Sequence, residues 1–267
     1  MLQDKAIQAP PEDDLPIVTI PVGTGAQRRD IAVRVRSGKG RPIVWLGGFR
    51  SDMRATKAKA LDAWAESRER PLVRFDYMGH GESGGAFADA VISTWVEDAL
   101  AVLKRFADDR PVLVGSSMGG WVTCLSVRER LRQGRTAPAG IVLIAPALDF
   151  THDLMWEAFP AEVRAEIEQR GVWYRETSYA PEPYPITRAL IEDGRRNCLL
   201  TEPVETGCPV HILQGMNDPD VPWVHALKTI DRLPAQGTLL TLIKDGDHRL
   251  SRPQDIDLIL RAVEAIA

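Results

Sequence analysis

The chain has 267 residues, of which 44% are hydrophobic, and its formal net charge is −4. This length and apolar fraction favour one large domain with a single core over two small domains. A mildly acidic chain is a poor candidate for nucleic-acid binding, which normally requires a strong basic patch. The cysteines, Cys124, Cys198 and Cys208, form no C-x-x-C pair. Their odd number therefore indicates free thiols in a reducing compartment, without a disulfide scaffold or a metal site.

Residues 1–16 form an acidic N-terminal extension interrupted by prolines. The extension lacks the basic start and apolar run of a secretory signal and the arginine-rich character of a transit peptide. No stretch approaches the roughly 20 apolar residues that a membrane-spanning helix needs. We therefore expect a cytoplasmic protein with no stable membrane insertion, and the oligomeric state is left open.

Strands and helices alternate along the chain, which predicts an α/β fold with a mostly parallel sheet covered by helices on both faces. The predicted strands are residues 17–20, 31–36, 43–46, 72–77, 111–114, 140–145, 209–214 and 238–243. The predicted helices are residues 91–106, 118–131, 222–233 and 255–266.

Residues 150–203 interrupt this alternation because they contain no clear strand. Their aromatic residues include Trp156, Phe159, Trp173, Tyr174, Tyr179 and Tyr184, and their five prolines are Pro160, Pro181, Pro183, Pro185 and Pro203. An irregular loop of that length is unusual in a compact domain unless it is functional. We predict a mostly helical cap inserted into a core made of residues 17–149 and 204–267.

The motif Gly115-Ser116-Ser117-Met118-Gly119 lies between a predicted strand and a predicted helix. In that context G-x-S-x-G is typical of a nucleophile elbow, in which small neighbours let a strained turn present the serine. Ser117 is the candidate nucleophile, and the Met118 N–H is a candidate oxyanion donor. Ser116 lies one residue too early for the spacing, and a small-residue turn that merely packs is the alternative interpretation.

A serine nucleophile needs an adjacent base that is itself oriented by a third group. In this type of fold the chain order is serine, acid, histidine. Asp218 follows one late strand and His248 follows the next, at the sheet edge where α/β proteins place their sites. Asp220 could replace Asp218, whereas Asp247 is too close in sequence to His248 to orient its ring easily.

Four other histidines compete with His248. His211 lies in a predicted strand, His225 in a helix and His152 near the start of the cap. His80 is the serious competitor because its loop also borders the predicted site. We favour His80 as a turn residue.

The loop after the third strand contains the second candidate oxyanion donor, the N–H of Phe49. A glycine turn without a ligand role is the alternative, and Arg50 could instead meet a substrate carboxylate. Candidate substrate-binding residues are Gly48, Met155 and Trp156. The cap aromatics suggest an apolar acyl pocket, although most of them are expected to fill the core of the cap.

Several segments together resemble the α/β-hydrolase domain-containing protein 10 branch of the α/β-hydrolase superfamily. They are residues 46–53, 75–83, 114–121, 171–173, 198–200, 215–223 and 247–249. The resemblance runs from about Ile43 to the C-terminus and implies the triad Ser117, Asp218 and His248. Animal members are mitochondrial acyl-protein thioesterases that also cleave the acyl glucuronide of mycophenolic acid. The start of this sequence does not resemble a mitochondrial presequence, so we expect a bacterial relative whose natural substrate need not be the same.

These observations predict a serine hydrolase that cleaves carboxylic esters or thioesters through an acyl-enzyme, with no metal or organic cofactor. The expected partner is a small-molecule ester or acyl-thioester, with an S-acylated protein as a further candidate. An acyltransferase or a carbon–carbon bond hydrolase could use the same triad, and a ligand-binding protein could retain the fold. Haloalkane dehalogenation is disfavoured, since it would require an aspartate at the elbow. Product analysis and labelling by a fluorophosphonate would separate these alternatives.

Overall fold

A computed structural model describes residues 15–176 and 182–267. Nearly all of the predicted N-terminal extension therefore lies outside the described residues. The same is true of Tyr179 and Pro181 in the predicted cap.

The strands are β1 (Ile17–Val22), β2 (Arg29–Arg36), β3 (Ile43–Leu46), β4 (Leu72–Phe75), β5 (Val112–Ser116), β6 (Gly140–Ile144), β7 (Val172–Arg175), β8 (Tyr184–Thr187), β9 (Val210–Gly215) and β10 (Thr238–Ile243). The α-helices are α1 (Thr56–Ser67), α2 (Ile92–Phe106), α3 (Met118–Arg132), α4 (Ala161–Arg170), α5 (Arg188–Arg196), α6 (Trp223–Arg232) and α7 (Pro253–Ile266). A short π-helix spans Thr151–Trp156.

Eight strands form one sheet in the order β1-β2-β4-β3-β5-β6-β9-β10. The pairs β1–β2 and β2–β4 are antiparallel and the other pairs are parallel, which confirms the predicted α/β-hydrolase fold. Every residue of β3, β5 and β6 is buried, as expected of parallel strands covered on both faces. Apolar clusters lie on the two sides of the sheet, one containing Trp95 and Trp121 and the other containing Trp45.

The strand register brings the loops that carry the predicted site to one edge of the sheet. Leu46 at the end of β3 is paired with Gly115 in β5, and Ser116 is paired with Ile144 in β6. Gly215, which ends β9, is paired with the last residue of β10. The loops after β3, β5, β9 and β10 therefore leave the sheet together at its carboxyl edge, where open α/β sheets bind ligands.

The inserted segment, residues 150–203, contains the π-helix, α4 and α5. It also contains an antiparallel hairpin of β7 and β8, in which Trp173 is paired with Ile186. The prediction that this segment has no strand was therefore wrong. Each strand has only four residues and β8 includes Pro185, so neither produces a recognisable alternating pattern.

Polar contacts attach the inserted segment to the core. The Trp121 indole N–H donates to the Asn197 carbonyl at 3.2 Å. The Asp193 carboxylate accepts the backbone N–H of Ser93, at 2.8 Å, at the start of α2. The segment is thereby held beside α3, the helix that follows Ser117. Within the ranges described above, no helix combines the length and apolar character needed to cross a membrane.

Candidate active site

The turn between β5 and α3 holds Ser117 in a strained backbone conformation. Its φ is 53° and its ψ is −119°, which an L-residue rarely adopts outside functional sites. A Cβ atom at Gly115 would lie 2.6 Å from the Gly119 carbonyl oxygen. A Cβ atom at Gly119 would overlap the carbonyl oxygens of Leu46 and Gly47. The two glycines of the motif therefore allow β3, β5 and α3 to approach closely enough to form the turn.

The structure brings the predicted triad residues together. The Nε2 atom of His248 lies 3.1 Å from the Ser117 Oγ atom, and its Nδ1 atom lies 2.8 Å from the Oδ2 atom of Asp218. An Nδ1–H that donates to the carboxylate leaves Nε2 as the acceptor for the serine hydroxyl. Chemically, this arrangement can take a proton from the hydroxyl while the carboxylate stabilises the imidazolium.

The Asp218 carboxylate is buried and is held from several sides. Its Oδ1 atom accepts the backbone N–H groups of Asp220 at 2.9 Å and Val221 at 2.8 Å. Its Oδ2 atom accepts the Gln214 side-chain amide at 3.1 Å in addition to His248. These donors fix the orientation of the carboxylate, and therefore the orientation of the imidazole ring.

The other candidate acids and bases from the sequence are either bonded to other groups or exposed. Asp247 accepts the backbone N–H of Leu250 at 2.9 Å, and Asp220 is exposed. His211 contacts the Thr241 hydroxyl at 2.9 Å, His225 contacts the Leu148 carbonyl at 2.8 Å, and His152 contacts Asp153 at 3.1 Å.

His80 is 4% exposed and lies in the loop after β4, as the prediction of a turn residue requires. Its Nδ1 atom lies 3.0 Å from the Met78 carbonyl, and its Nε2 atom accepts the Arg50 N–H at 3.0 Å. Burial lowers the pKa of His80 to about 4. Both ring nitrogens are thus engaged with backbone groups, which leaves none to bind a serine hydroxyl.

The loop after β3 lies directly beside the elbow. A Cβ atom at Gly48 would be 3.4 Å from the Ser117 Cβ atom. Among the described residues, neither the Phe49 N–H nor the Met118 N–H donates a hydrogen bond to another group of the chain. Two donors close to the nucleophile therefore remain available to a ligand oxygen.

An aromatic cluster surrounds the Phe49 ring. Its centroid lies 5.1 Å from Phe87, 5.8 Å from Trp95, 5.4 Å from Phe150 and 5.8 Å from Tyr184, always in an edge-on arrangement. The sequence does not indicate that Phe87, Trp95 or Phe150 belong to the site, because the rings of this cluster come from four separate parts of the chain. The only available signal was that they are aromatic and close to the predicted loops and cap.

The predicted pocket residues of the inserted segment have different surroundings. Met155 is buried in the larger apolar cluster. The Trp156 ring is covered by the guanidinium groups of Arg195, at 4.4 Å from its centroid, and Arg164, at 5.9 Å. The Arg50 guanidinium lies 4.7 Å from the Tyr184 centroid, so the loop after β3 touches the hairpin.

One group of side chains in the described residues has the spacing of a metal site. The ligand atoms of Asp218, Asp220 and His248 lie within 4.8 Å of one another. The oxygen atoms of Asp218 already accept four hydrogen bonds, and one of them comes from His248. Two members of this group, Asp218 and His248, are therefore already hydrogen-bonded to each other.

Comparisons with known proteins identify relatives of this chain. The sequence model of the alpha/beta hydrolase family matches residues 40–257. The mitochondrial palmitoyl-protein thioesterase ABHD10 of Mus musculus is 33% identical over 236 residues, which cover 88% of this chain and 78% of that protein. The solved structure of mouse α/β-hydrolase domain-containing protein 10 superposes with a TM-score of 0.82 at 29% identity and covers 94% and 97% of the two chains.

A crystal structure of a protein from Agrobacterium vitis S4 is more similar still. Its identity is 49%, its TM-score is 0.90, and the match covers 95% of this chain and 99% of that chain. The sheet order, the elbow and the family match over most of the sequence lead to the same conclusion. The chain belongs to the α/β-hydrolase family.

Proposed function

We propose that this protein is a serine hydrolase of carboxylic esters or thioesters, with Ser117 as nucleophile, His248 as base and Asp218 as acid. The observation that carries this proposal is the continuous contact from carboxylate to imidazole to hydroxyl, at 2.8 and 3.1 Å. The strained backbone of Ser117 adds support, since such strain is concentrated at active sites.

In the proposed reaction, Ser117 Oγ attacks the acyl carbon while its proton moves to Nε2 of His248. The carbonyl oxygen becomes an oxyanion, which accepts the Phe49 and Met118 N–H groups. The intermediate then expels the alcohol or thiol, which takes the proton from His248. Water attacks the acyl-enzyme, transfers one proton to Nε2 and releases the carboxylic acid, and Ser117 recovers its proton.

The substrate class follows from the relatives and from the rings beside the nucleophile. The curated mouse relative is named as a palmitoyl-protein thioesterase, whose acyl group is long and apolar. The cluster around Phe49 places apolar rings next to the predicted oxyanion donors. We therefore favour acyl thioesters and esters of apolar acids, bound near Gly48 and beneath the inserted segment, to which Met155 and Trp156 belong.

Substitution of the nucleophile tests the proposal. We expect Ser117→Ala to reduce hydrolysis of p-nitrophenyl butyrate by at least about 10³-fold, because the covalent step is lost. Ser116→Ala is the matched control and should retain activity within about threefold. Circular dichroism melts of both variants establish that they are folded. Full turnover by a folded Ser117→Ala variant would contradict the proposal.

A substrate panel then separates the chemical classes. It contains palmitoyl and butyryl thioesters, the matching p-nitrophenyl esters and an acyl glucuronide. We expect kcat/KM to be highest for an ester or thioester with an apolar acyl chain. Transfer of the acyl group to an added alcohol in preference to water would instead indicate an acyltransferase.

A further inference from the structure

His80 lies in the loop after β4 and contacts the loop after β3. Its Nδ1 atom is 3.0 Å from the Met78 carbonyl oxygen, which can only accept. The proton must therefore reside on Nδ1, and Nε2 carries the lone pair. That lone pair accepts the backbone N–H of Arg50 at 3.0 Å. The tautomer of the buried His80 ring thus determines where the Arg50 backbone N–H, in the loop after β3, can point.

The imidazole is itself firmly held. Its ring makes edge-on contacts with Tyr77 at 5.8 Å, Phe87 at 5.3 Å and Trp95 at 5.5 Å between centroids. Burial lowers the pKa of His80 to about 4, so the ring is neutral and the Nε2 acceptor is present at ordinary assay pH. A rigid, neutral acceptor is well suited to hold a loop in one position.

The backbone of Met78, whose carbonyl accepts the His80 Nδ1–H, is held at both its N–H and its carbonyl. Its N–H donates to the Oδ2 atom of Asp98 at 2.9 Å, and its carbonyl also accepts the Trp95 indole N–H at 3.2 Å. Asp98 is fully buried and is paired with Arg29 at 2.7 Å. Hydrogen bonds through the Met78 backbone therefore connect a buried ion pair between β2 and α2 to the loop after β3.

The Arg50 N–H is next to the group that matters for catalysis. Arg50 has a φ of 56°, a conformation that needs support from its surroundings. The Phe49–Arg50 peptide adjoins the Gly48–Phe49 peptide, whose N–H is the proposed oxyanion donor. A second anchor lies further along, where the Met53 N–H donates to Asp76 at 2.7 Å. Both anchors come from the end of β4 and the loop that follows it.

We propose that His80 is a positioning residue, which orients the Phe49 N–H toward the oxyanion by accepting the Arg50 N–H at Nε2. This inference rests on the proposed function. A misplacement of about 1 Å can reduce a rate about 10²-fold. Because the oxyanion forms only in the transition state, the hydrogen bond would affect the transition state more than substrate binding.

Two variants separate the acceptor from the ring. His80→Phe retains a ring for the aromatic contacts and removes the acceptor, whereas His80→Gln removes the ring and places an amide oxygen near the position of Nε2. With p-nitrophenyl butyrate, we expect His80→Phe to reduce kcat about 10- to 100-fold, with KM within about twofold of wild type. We expect His80→Gln to retain kcat within about fivefold.

Binding of phenylboronic acid provides a readout that a purely structural role would not change. Its adduct with a serine is tetrahedral and places an oxygen where the oxyanion forms. The inhibition constant should therefore rise in His80→Phe by about the same factor by which kcat falls. Equal kcat and equal boronate affinity in wild type and a folded His80→Phe variant would overturn the inference and leave the hydrolase proposal intact.

The remaining outcomes are also decisive. If His80→Phe does not fold, His80→Gln decides alone, because a folded His80→Gln with a large loss of kcat would overturn the role of the acceptor. An inactive wild-type enzyme would overturn both proposals. An active wild type, an inactive Ser117→Ala and a slow His80→Phe would support both.

Discussion

Two loops that border the candidate site each carry a histidine, and the two imidazole rings have different roles. The His248 side chain is 22% exposed and connects a carboxylate with a hydroxyl. His80 is 4% exposed and connects two backbone groups. The first arrangement permits a proton to move, while the second keeps the ring neutral and fixed. Proximity to a nucleophile is therefore a weak guide to function, and the partners of both ring nitrogens are a strong one.

Removal of the His248 ring should produce the largest effect. We expect His248→Ala to reduce kcat by about 10³- to 10⁴-fold, because the base for both chemical steps is lost. His152→Ala is the matched control, since that ring pairs with Asp153 at the surface of the inserted segment, and it should change kcat less than twofold. A His248→Ala variant with a kcat within tenfold of the wild-type kcat would remove the distinction between the roles of His248 and His80.

Substitution of the acid should have the next largest effect. We expect Asp218→Asn to reduce kcat about 10²- to 10⁴-fold, because an amide cannot stabilise the imidazolium and favours the wrong tautomer. Asp220→Asn should retain kcat within about threefold, since the structure uses its backbone N–H and leaves its side chain exposed. The reverse order of the two losses would reassign the acid to Asp220.

The buried histidine should be visible in the pH dependence of stability. The pKa of His80 is lowered by burial from 6.5 to about 4. Between these values the unfolded chain binds the proton and the folded chain does not, so stability falls as the pH drops from 6.5 to 4. Across this pH range, His80 changes the free energy of unfolding by about 3 kcal/mol at most.

Urea unfolding at several pH values checks that contribution. His80→Phe lacks the titrating group, so its free energy of unfolding should decline less steeply than that of wild type over this pH window. Parallel declines in the two proteins would show that the ring is not held neutral in the fold.

The core and the order of the site residues were predictable because both depend on local pattern. The apolar runs of β3, β5 and β6 identify strands buried on both faces. Gly115 and Gly119 mark the elbow because side chains at those positions would collide with neighbouring backbone or side-chain atoms. Asp218 and His248 follow strands that end at the same sheet edge.

The rest depends on contacts between distant parts of the chain. Helix α1 was not predicted, since its alanine-rich sequence has only a weak apolar stripe. The pairing of Val172 with Thr187 in the hairpin leaves no signal in strands of four residues. The contact between His80 and the Arg50 N–H joins residues 30 positions apart and involves a backbone atom, which no side-chain pattern reveals.

The central claim is that Ser117 is the reactive nucleophile of the site, and a fluorophosphonate probe tests it most directly. The intact protein is treated with the probe, and tandem mass spectrometry locates the adduct. We expect one adduct per chain, on the Ser117 hydroxyl. We expect no adduct in Ser117→Ala and much slower labelling in His248→Ala. An adduct on another residue, or an unlabelled wild-type protein that still hydrolyses esters, would contradict the assignment of Ser117 as the nucleophile.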